Sequence, residues 1–199
     1  MFDAHFQLAT SIRYLKEIEI PPFLQQTFKR AWKPFYSNYS SHLSTTRKKQ
    51  FQQFAETVAR HPYDQKYCHR VMIDAISQQV GYGVFATVDI PPYSILHQYS
   101  GILVRERDAN PHSDSLFAFS KFSGFCIDAA EAGNWTRFMN HAPLGHPAQN
   151  VIVWEYYRPA GPMIIFTAGS QGISQGSQLL YSYGDDYWKK KGPYCSFSP

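Results

Sequence analysis

Gly133-Asn134-Trp135-Thr136-Arg137-Phe138-Met139-Asn140-His141 and, further on, Leu179-Leu180-Tyr181-Ser182-Tyr183-Gly184-Asp185-Asp186-Tyr187-Trp188 are the two stretches on which the fold turns. Neither sustains a helical period; residues 134–140 have room for a single helical turn. The first gathers Arg, Asn and His, and the second is a run of aromatic side chains. Upstream of them stand Ile127-Asp128-Ala129, Tyr99-Ser100-Gly101 and Gly81-Tyr82-Gly83-Val84-Phe85-Ala86. The last of these is a tight glycine bend running into a strand, which needs no ligand on its own. It lacks the third glycine and the following helix of a dinucleotide fold.

Outward from these segments, residues 71–199 read as short strands broken by Gly, Pro and Asn: Val71–Ile76, Val84–Val88, Ile95–Val104, Val151–Tyr157 and Met163–Ala168. No helical pattern alternates with them, so a parallel βαβ sheet is excluded. The N-terminal third reads as helical. Phe6, Ile12, Leu15 and Ile18 give a rough helical face over residues 6–19, ended by Pro21-Pro22. A second helix is expected from Phe23 to Trp32, before Pro34. A third starts near Ser44, which can cap it, carries Phe51, Phe54 and Val58, and ends at His61-Pro62. The expected organisation is a helical region over residues 1–66, a mainly β domain with some α over 67–190, and a basic tail over 191–199.

Hydrophobic residues make up 44% and charged ones 17% of the 199, so a packed core is expected rather than disorder. No apolar run approaches the ~18 residues of a membrane span. Met1 to Thr10 lacks the basic-then-apolar pattern of a secretory leader. Cys68, Cys126 and Cys195 lie far apart, which fits a reducing compartment and argues against zinc or disulfides. The net charge of +4 hides an asymmetry: residues 1–70 carry 11 Lys and Arg against 5 Asp and Glu, residues 71–199 carry 8 against 10. The second half therefore suits a basic ligand.

Taken in order, GYGVFA, YSG, GNWTRFMNH and LLYSYGDDYW resemble the SET-domain lysine methyltransferases over roughly residues 72–190. GYGVFA, the run after Tyr99 and a helical N-terminal extension look most like the small SET proteins of chlamydia-type bacteria. The SYGDDYW ending is similar to short viral members. The resemblance implies small antiparallel sheets around a pseudoknot, with the Asn140-His141 segment threaded beside Tyr183. It implies S-adenosylmethionine as cofactor, without a metal, held by Gly81, Tyr82, Gly83, Arg137, Phe138, Asn140, His141, Tyr183 and Trp188, with Tyr187 or Trp188 over the adenine. Tyr183 is the implied catalytic tyrosine, and Tyr181 and Tyr99 line a lysine channel. Arg137 and Asn134 also read as residues that tie the pseudoknot together, and His97, His112 and His146 as structural or surface histidines.

The partner so implied is a lysine-containing basic protein, a histone or histone-like protein. Glu106, Asp108, Asp185 and Asp186 are expected to attract it. The resemblance implies no direct reading of nucleic-acid sequence and no membrane, and leaves room for a homodimer. It further implies a bacterial protein exported to a host nucleus, or otherwise a cytoplasmic one. The chain departs from the family pattern in places. The loop after His141 delays Asn150 by about four residues, the usual cysteine there is missing, and Ser177-Gln178 replaces an acidic pair. Ser182 precedes the tyrosine in place of Asp, and no CxC cluster follows. A non-catalytic module with the same fold, binding chromatin, DNA or a partner protein through its basic N-terminal half, is the alternative; Tyr183 and the intact RFMNH segment speak against it, Ser177-Gln178 in its favour. A metal hydrolase built on His141, His146 and Asp185 fails on spacing.

Overall fold

A computed structural model describes residues 12–50, 53, 70–185, 187 and 188. The start of the expected first helix, the expected third helix beyond residue 50, Cys68, Asp186, Cys195 and the basic tail lie outside the described residues.

The expected helix over residues 6–19 is not what the described part forms. Strand β1 (Arg13–Tyr14) pairs in parallel with β8 (Ala132–Gly133), and Glu19 bridges to Ile102. The reason lies in a period the helical reading passed over: Ile12, Tyr14, Ile18 and Ile20 all pack on the core, and even-numbered residues share one face of an extended chain. Helix α1 (Pro22–Ser41) then runs 20 residues, well past Trp32 and through Pro34. Pro22 suits the first turn, where no N–H partner is needed. The missing Pro34 bond is outweighed by packing: the Phe35 ring lies 4.9 Å from Phe122 and 5.3 Å from Tyr157, and Tyr39 lies 5.0 Å from Tyr157. Leu24, Phe28 and Trp32, one turn apart, form its buried edge. Ser44 caps the next helical segment by accepting the Arg47 N–H at 3.2 Å.

The β portion is a set of small sheets. β2 (Val71–Ser77) and β3 (Gly81–Ala86) form an antiparallel hairpin. The single strand expected over 95–104 is two: β4 (Ile95–Gln98) and β5 (Ile102–Arg105). Between them the backbone changes partner, from the Ile164 carbonyl at Tyr99 to the Glu19 N–H at Gly101. β5 pairs with β7 (Phe125–Asp128), whose other edge takes β6 (Leu116–Ala118). One turn of 3-10 helix, Trp135–Phe138, leads to β9 (Asn140–His141). β10 (Val151–Arg158) and β11 (Gly161–Ala168) form the longest hairpin, with β4 on the far edge of β11. β12 (Leu180–Tyr181) closes the domain, pairing in parallel with β9. No described helix is long and apolar enough to cross a membrane, and Cys126 is buried on β7.

α1 is part of this core. The Trp32 indole is 4% exposed, stands 4.9 Å from Phe122, and donates its N–H to the Arg158 carbonyl at 3.0 Å. Trp32→Ala is therefore expected to cost about 3–5 kcal/mol of stability in a urea melt. Phe23→Ala, at a position 83% exposed, should leave the midpoint nearly unchanged.

Candidate active site

The two stretches that open the sequence reading meet at the β9–β12 ladder, where Leu180 pairs with Asn140 and Tyr181 with His141. Ala142 N–H donates to the Tyr181 carbonyl at 3.0 Å and extends the ladder. Past it, the Tyr183 backbone N–H donates to His141 Nδ1 at 3.0 Å, and the Tyr183 hydroxyl donates to the Met139 carbonyl at 2.7 Å. Tyr183 is thus fixed at both ends. Its ring lies 4.8 Å from Tyr181, 4.9 Å from Tyr187 and 5.2 Å from His141, and stacks with Trp188 at 6.3 Å and 8°.

Tyr99 arrives from the end of β4. It is buried, and its hydroxyl donates to the Ser115 carbonyl at 2.6 Å. Phe166, fully buried on β11, joins the two tyrosines, 6.2 Å from Tyr99 and 4.9 Å from Tyr181. Burial pushes the phenols of Tyr99, Tyr181 and Tyr183 well above their ordinary value, so all three stay neutral. Neighbouring phenols and the Asp114 carboxylate add to the rise at Tyr183. The same burial effect lowers His141.

The glycine hairpin forms the other wall. Gly81 has φ +78°, a conformation that suits glycine, and nothing lies within 4 Å of where its Cβ would stand. Gly83 is needed for close approach: a Cβ there would come 2.6 Å from Ile76 Cδ1 and 2.7 Å from Gln178 Nε2. The Tyr82 ring is 46% exposed, and its carbonyl accepts the Asn140 side-chain amide at 2.9 Å, which ties hairpin to ladder. Phe138 stands 5.9 Å from Tyr82 and beneath the Arg137 guanidinium, 4.7 Å away. Arg137 donates to Ser115 Oγ at 3.0 Å, so its visible contacts brace the wall that holds Tyr99. Asn134 is fully buried. It bonds His97 Nδ1, the Gln98 carbonyl, and the N–H and hydroxyl of Thr136, and so fixes the turn that delivers Asn140.

The sequence departures are absorbed by backbone. Asn150, despite the longer loop, donates to the Gln178 carbonyl at 2.8 Å and accepts from Leu180 N–H at 3.0 Å. Ser177 and Gln178 act through their main chain: the Ser177 carbonyl accepts Ala86 N–H, and Gln178 bridges Phe85. Val153 faces the core, whereas Trp154 is 49% exposed with its indole bonded to Thr167. Of the acidic residues expected near the substrate, Asp108 is engaged by Arg105 and Arg107. Asp114, which the sequence reading did not single out, is the carboxylate felt by both Tyr183 and Tyr187. Phe166 and Ser115 were missed as well. Among the described residues no three His, Cys, Asp or Glu side chains gather to hold a metal ion.

The SET domain matches residues 81–184, and the chain belongs to the SET-domain family. The human histone-lysine N-methyltransferase EHMT1 is 31% identical over 124 residues, covering 58% of this chain and 9% of that protein. The Chaetomium thermophilum histone-lysine N-methyltransferase EZH2 is 32% identical over 120 residues, covering 54% of this chain and 8% of that protein. A solved structure of a humanized mutant of Chaetomium thermophilum Polycomb Repressive Complex 2, bound to the inhibitor GSK343, superposes with a TM-score of 0.50. It is 29% identical, over 61% of this chain and 16% of that one. The chain spans about a tenth of the length of the curated relatives it matches.

Because His141 Nδ1 accepts a backbone N–H, its neutral ring must carry the proton on Nε2, and a second proton breaks the bond. Its folded pKa lies below the ordinary value near 6.5. The stabilisation is therefore full above about pH 6.5 and declines as pH falls below it. Thermal melts from pH 7.5 to 5 should show this decline, and His141→Gln should flatten it over that range.

Proposed function

We propose that this chain transfers a methyl group from S-adenosylmethionine to the side-chain amine of a lysine in a basic protein, a histone or histone-like tail. The observation that carries the reading is the convergence of Tyr99, Tyr181 and Tyr183 beside the Asn140-His141 ladder, with two of the phenol protons committed to backbone carbonyls. The residues present suit that cofactor. The open floor at Gly81 and the Tyr82 ring can receive its amino-acid end, and the half-buried Asn140-His141 strand can meet its purine. Phe138 and Trp188 supply flat apolar cover, and Tyr183 reaches the junction between the ends. His141, kept toward its neutral form, sets no cation against a sulfonium. When bound there, S-adenosylmethionine supplies an already activated methyl group.

The chain's own residues then have three tasks. A buried aromatic channel disfavours the ammonium form of an entering lysine, so the amine meets the donor with its lone pair free. Tyr183 is neutral and donates its hydroxyl hydrogen bond to the Met139 carbonyl. Its oxygen lone pairs remain to accept a polarised C–H or an amine N–H. Neutral phenols with raised pKa are poor bases, so the site works by alignment and water exclusion. Asp114, beside the channel, supplies attraction for a basic segment. The chemistry asks for nothing from an acidic pair at 177–178, and backbone contacts hold that segment in place, which favours catalysis over a silent module. The finer likeness to chlamydia-type proteins, with action in a host nucleus or pairing of two copies, belongs to this proposal. It rests on GYGVFA, the run after Tyr99 and an N-terminal helix.

Tyr183→Phe keeps the ring stack and loses the oxygen. It should leave cofactor affinity, read by calorimetry, within a few-fold, while histone-peptide methylation falls by roughly tenfold or more. Near-normal turnover would overturn the assignment. Tyr181 and the core-facing Val153 set how much room a methylated amine has to turn. The tyrosine hydroxyl favours mainly mono- with some dimethylation, and Tyr181→Phe should shift mass-spectrometric products towards higher states. Abundant trimethyl-lysine from the unmutated protein would refute this.

A further inference from the structure

Residues 21–50 carry Lys29, Arg30, Lys33, Arg47, Lys48 and Lys49 and not one Asp or Glu. All six are exposed, and none is ion-paired with a carboxylate among the described residues. Their placement does little for the helices that bear them. A helix stabilised for its own sake carries acid in its first turn and base in its last. α1 has neither, and its three cations sit mid-helix, turned away from the buried Leu24, Phe28 and Trp32. Arg47, Lys48 and Lys49 fall in the opening turns of the segment capped by Ser44, where the helix dipole disfavours positive charge. The second group follows directly on α1, joined to it by Leu43 and Ser44, and Lys121 adds its ammonium 5.7 Å above the ring of Tyr39 near the end of α1. The carboxylate of Glu155, which bears on the Tyr39 phenol, is occupied by the Ser120 N–H and hydroxyl and by Tyr157.

We propose that this face of α1 and the helical segment after it is a phosphate-binding surface that engages duplex nucleic acid without reading its sequence. Charge complementarity is the ground for the occupant. The phosphate backbone rewards a cluster of lysine and arginine with no carboxylate paired to it among the described residues, and hydroxyl and amide side chains such as Gln26 and Ser37 suit phosphate oxygens. An anionic membrane is the poorer fit, because an interfacial helix inserts its apolar face, and that of α1 is spent on the core. This surface goes beyond the methyl-transfer reading and stands or falls separately from it. In combination, it would hold a DNA-wrapped basic protein against the chain while the tail of that protein enters the tyrosine channel.

The test is fluorescence anisotropy of the protein, without cofactor, on a labelled duplex of about 30 base pairs between 50 and 200 mM salt. Six phosphate contacts predict a loss of roughly a thousand-fold in affinity over that range. Lys29→Gln/Arg30→Gln/Lys33→Gln should weaken binding and reduce the log–log salt slope by about three. Methylation of a free histone-tail peptide serves as an independent readout and should not change. Arg47→Gln/Lys48→Gln/Lys49→Gln provides a second triple variant should the first not fold. Undiminished binding by a folded variant, absence of binding at 50 mM salt, or equal affinity for phosphatidylserine vesicles or poly-glutamate would overturn the proposal. Loss of peptide methylation with intact, salt-dependent DNA binding would count against the methyl-transfer reading alone.

Discussion

The parallel pairing of β9 with β12 is the constraint that the rest of the structure serves. A parallel ladder two residues long is weak, and parallel strands must be joined by a long crossover. Here the crossover runs from residue 142 to 179 and carries the β10–β11 hairpin. Side chains supply what the short ladder lacks. Asn150 grips the backbone of Gln178 and Leu180 from one side, and His141 takes the Tyr183 N–H from the other. Net contributions of about 1 kcal/mol per hydrogen bond add up only because these groups are shielded from water together. A slip of one residue would put Tyr181 where Leu180 stands, and Tyr183 would lose both His141 and Met139. The threading therefore sets the geometry of the site.

Keeping that site free of charge follows from how it is built. Tyr181 and Tyr183 packed at a tilt, with Tyr99 across the Phe166 ring, cannot easily ionise, since each phenol is desolvated and each would repel its neighbours. Hydroxyl protons from Tyr99 and Tyr183 go to carbonyls of Ser115 and Met139, so donor direction is decided before any ligand arrives. The guanidinium of Arg137 stands close by. It lies over Phe138 and against Ser115, where it steadies a wall. A site of this kind works through position, and its requirements fall on the backbone that places each ring.

The core of the candidate site was legible in the sequence because it sits in compact segments: Asn140-His141, Tyr181 and Tyr183 lie within motifs whose internal spacing the chain cannot alter, and the structure brings them together. The partners of those segments were harder to read. Phe166 belongs to β11, which is buried at every position from 161 to 168, so no alternation marks which side chain faces the channel. Ser115 and Asp114 lie in an irregular stretch between short strands, where neither period nor propensity speaks. The N-terminal strand was misread because Phe6, Ile12, Leu15 and Ile18 mimic a helical face, while Ile12, Tyr14, Ile18 and Ile20 carry the true period of two. Pro34 misled in the opposite way. Its local penalty is real, and the aromatic stack of Trp32, Phe35 and Tyr39 on Phe122 and Tyr157 outweighs it through contacts distant in sequence.

The corrected N-terminal strand also changes how the tyrosine wall is understood. Tyr99 sits between Gln98 and Ser100, both buried. Gln98 donates its side-chain amide to the Lys16 carbonyl at 2.6 Å, and Ser100 donates its hydroxyl to the Leu15 carbonyl, also at 2.6 Å. The Gln98 carbonyl meanwhile accepts from Asn134, which holds the turn leading to Asn140. Residues 15 and 16 thus connect through two buried side chains to the strand carrying Tyr99, and through Asn134 to the ladder carrying Tyr183. Withdrawing that extended segment would leave the Gln98 and Ser100 donors unpaired in the interior, a cost of about 1–3 kcal/mol each. The disturbance would fall on the two residues that flank the channel tyrosine. The segment ahead of the matched domain is therefore part of the wall that shapes the site.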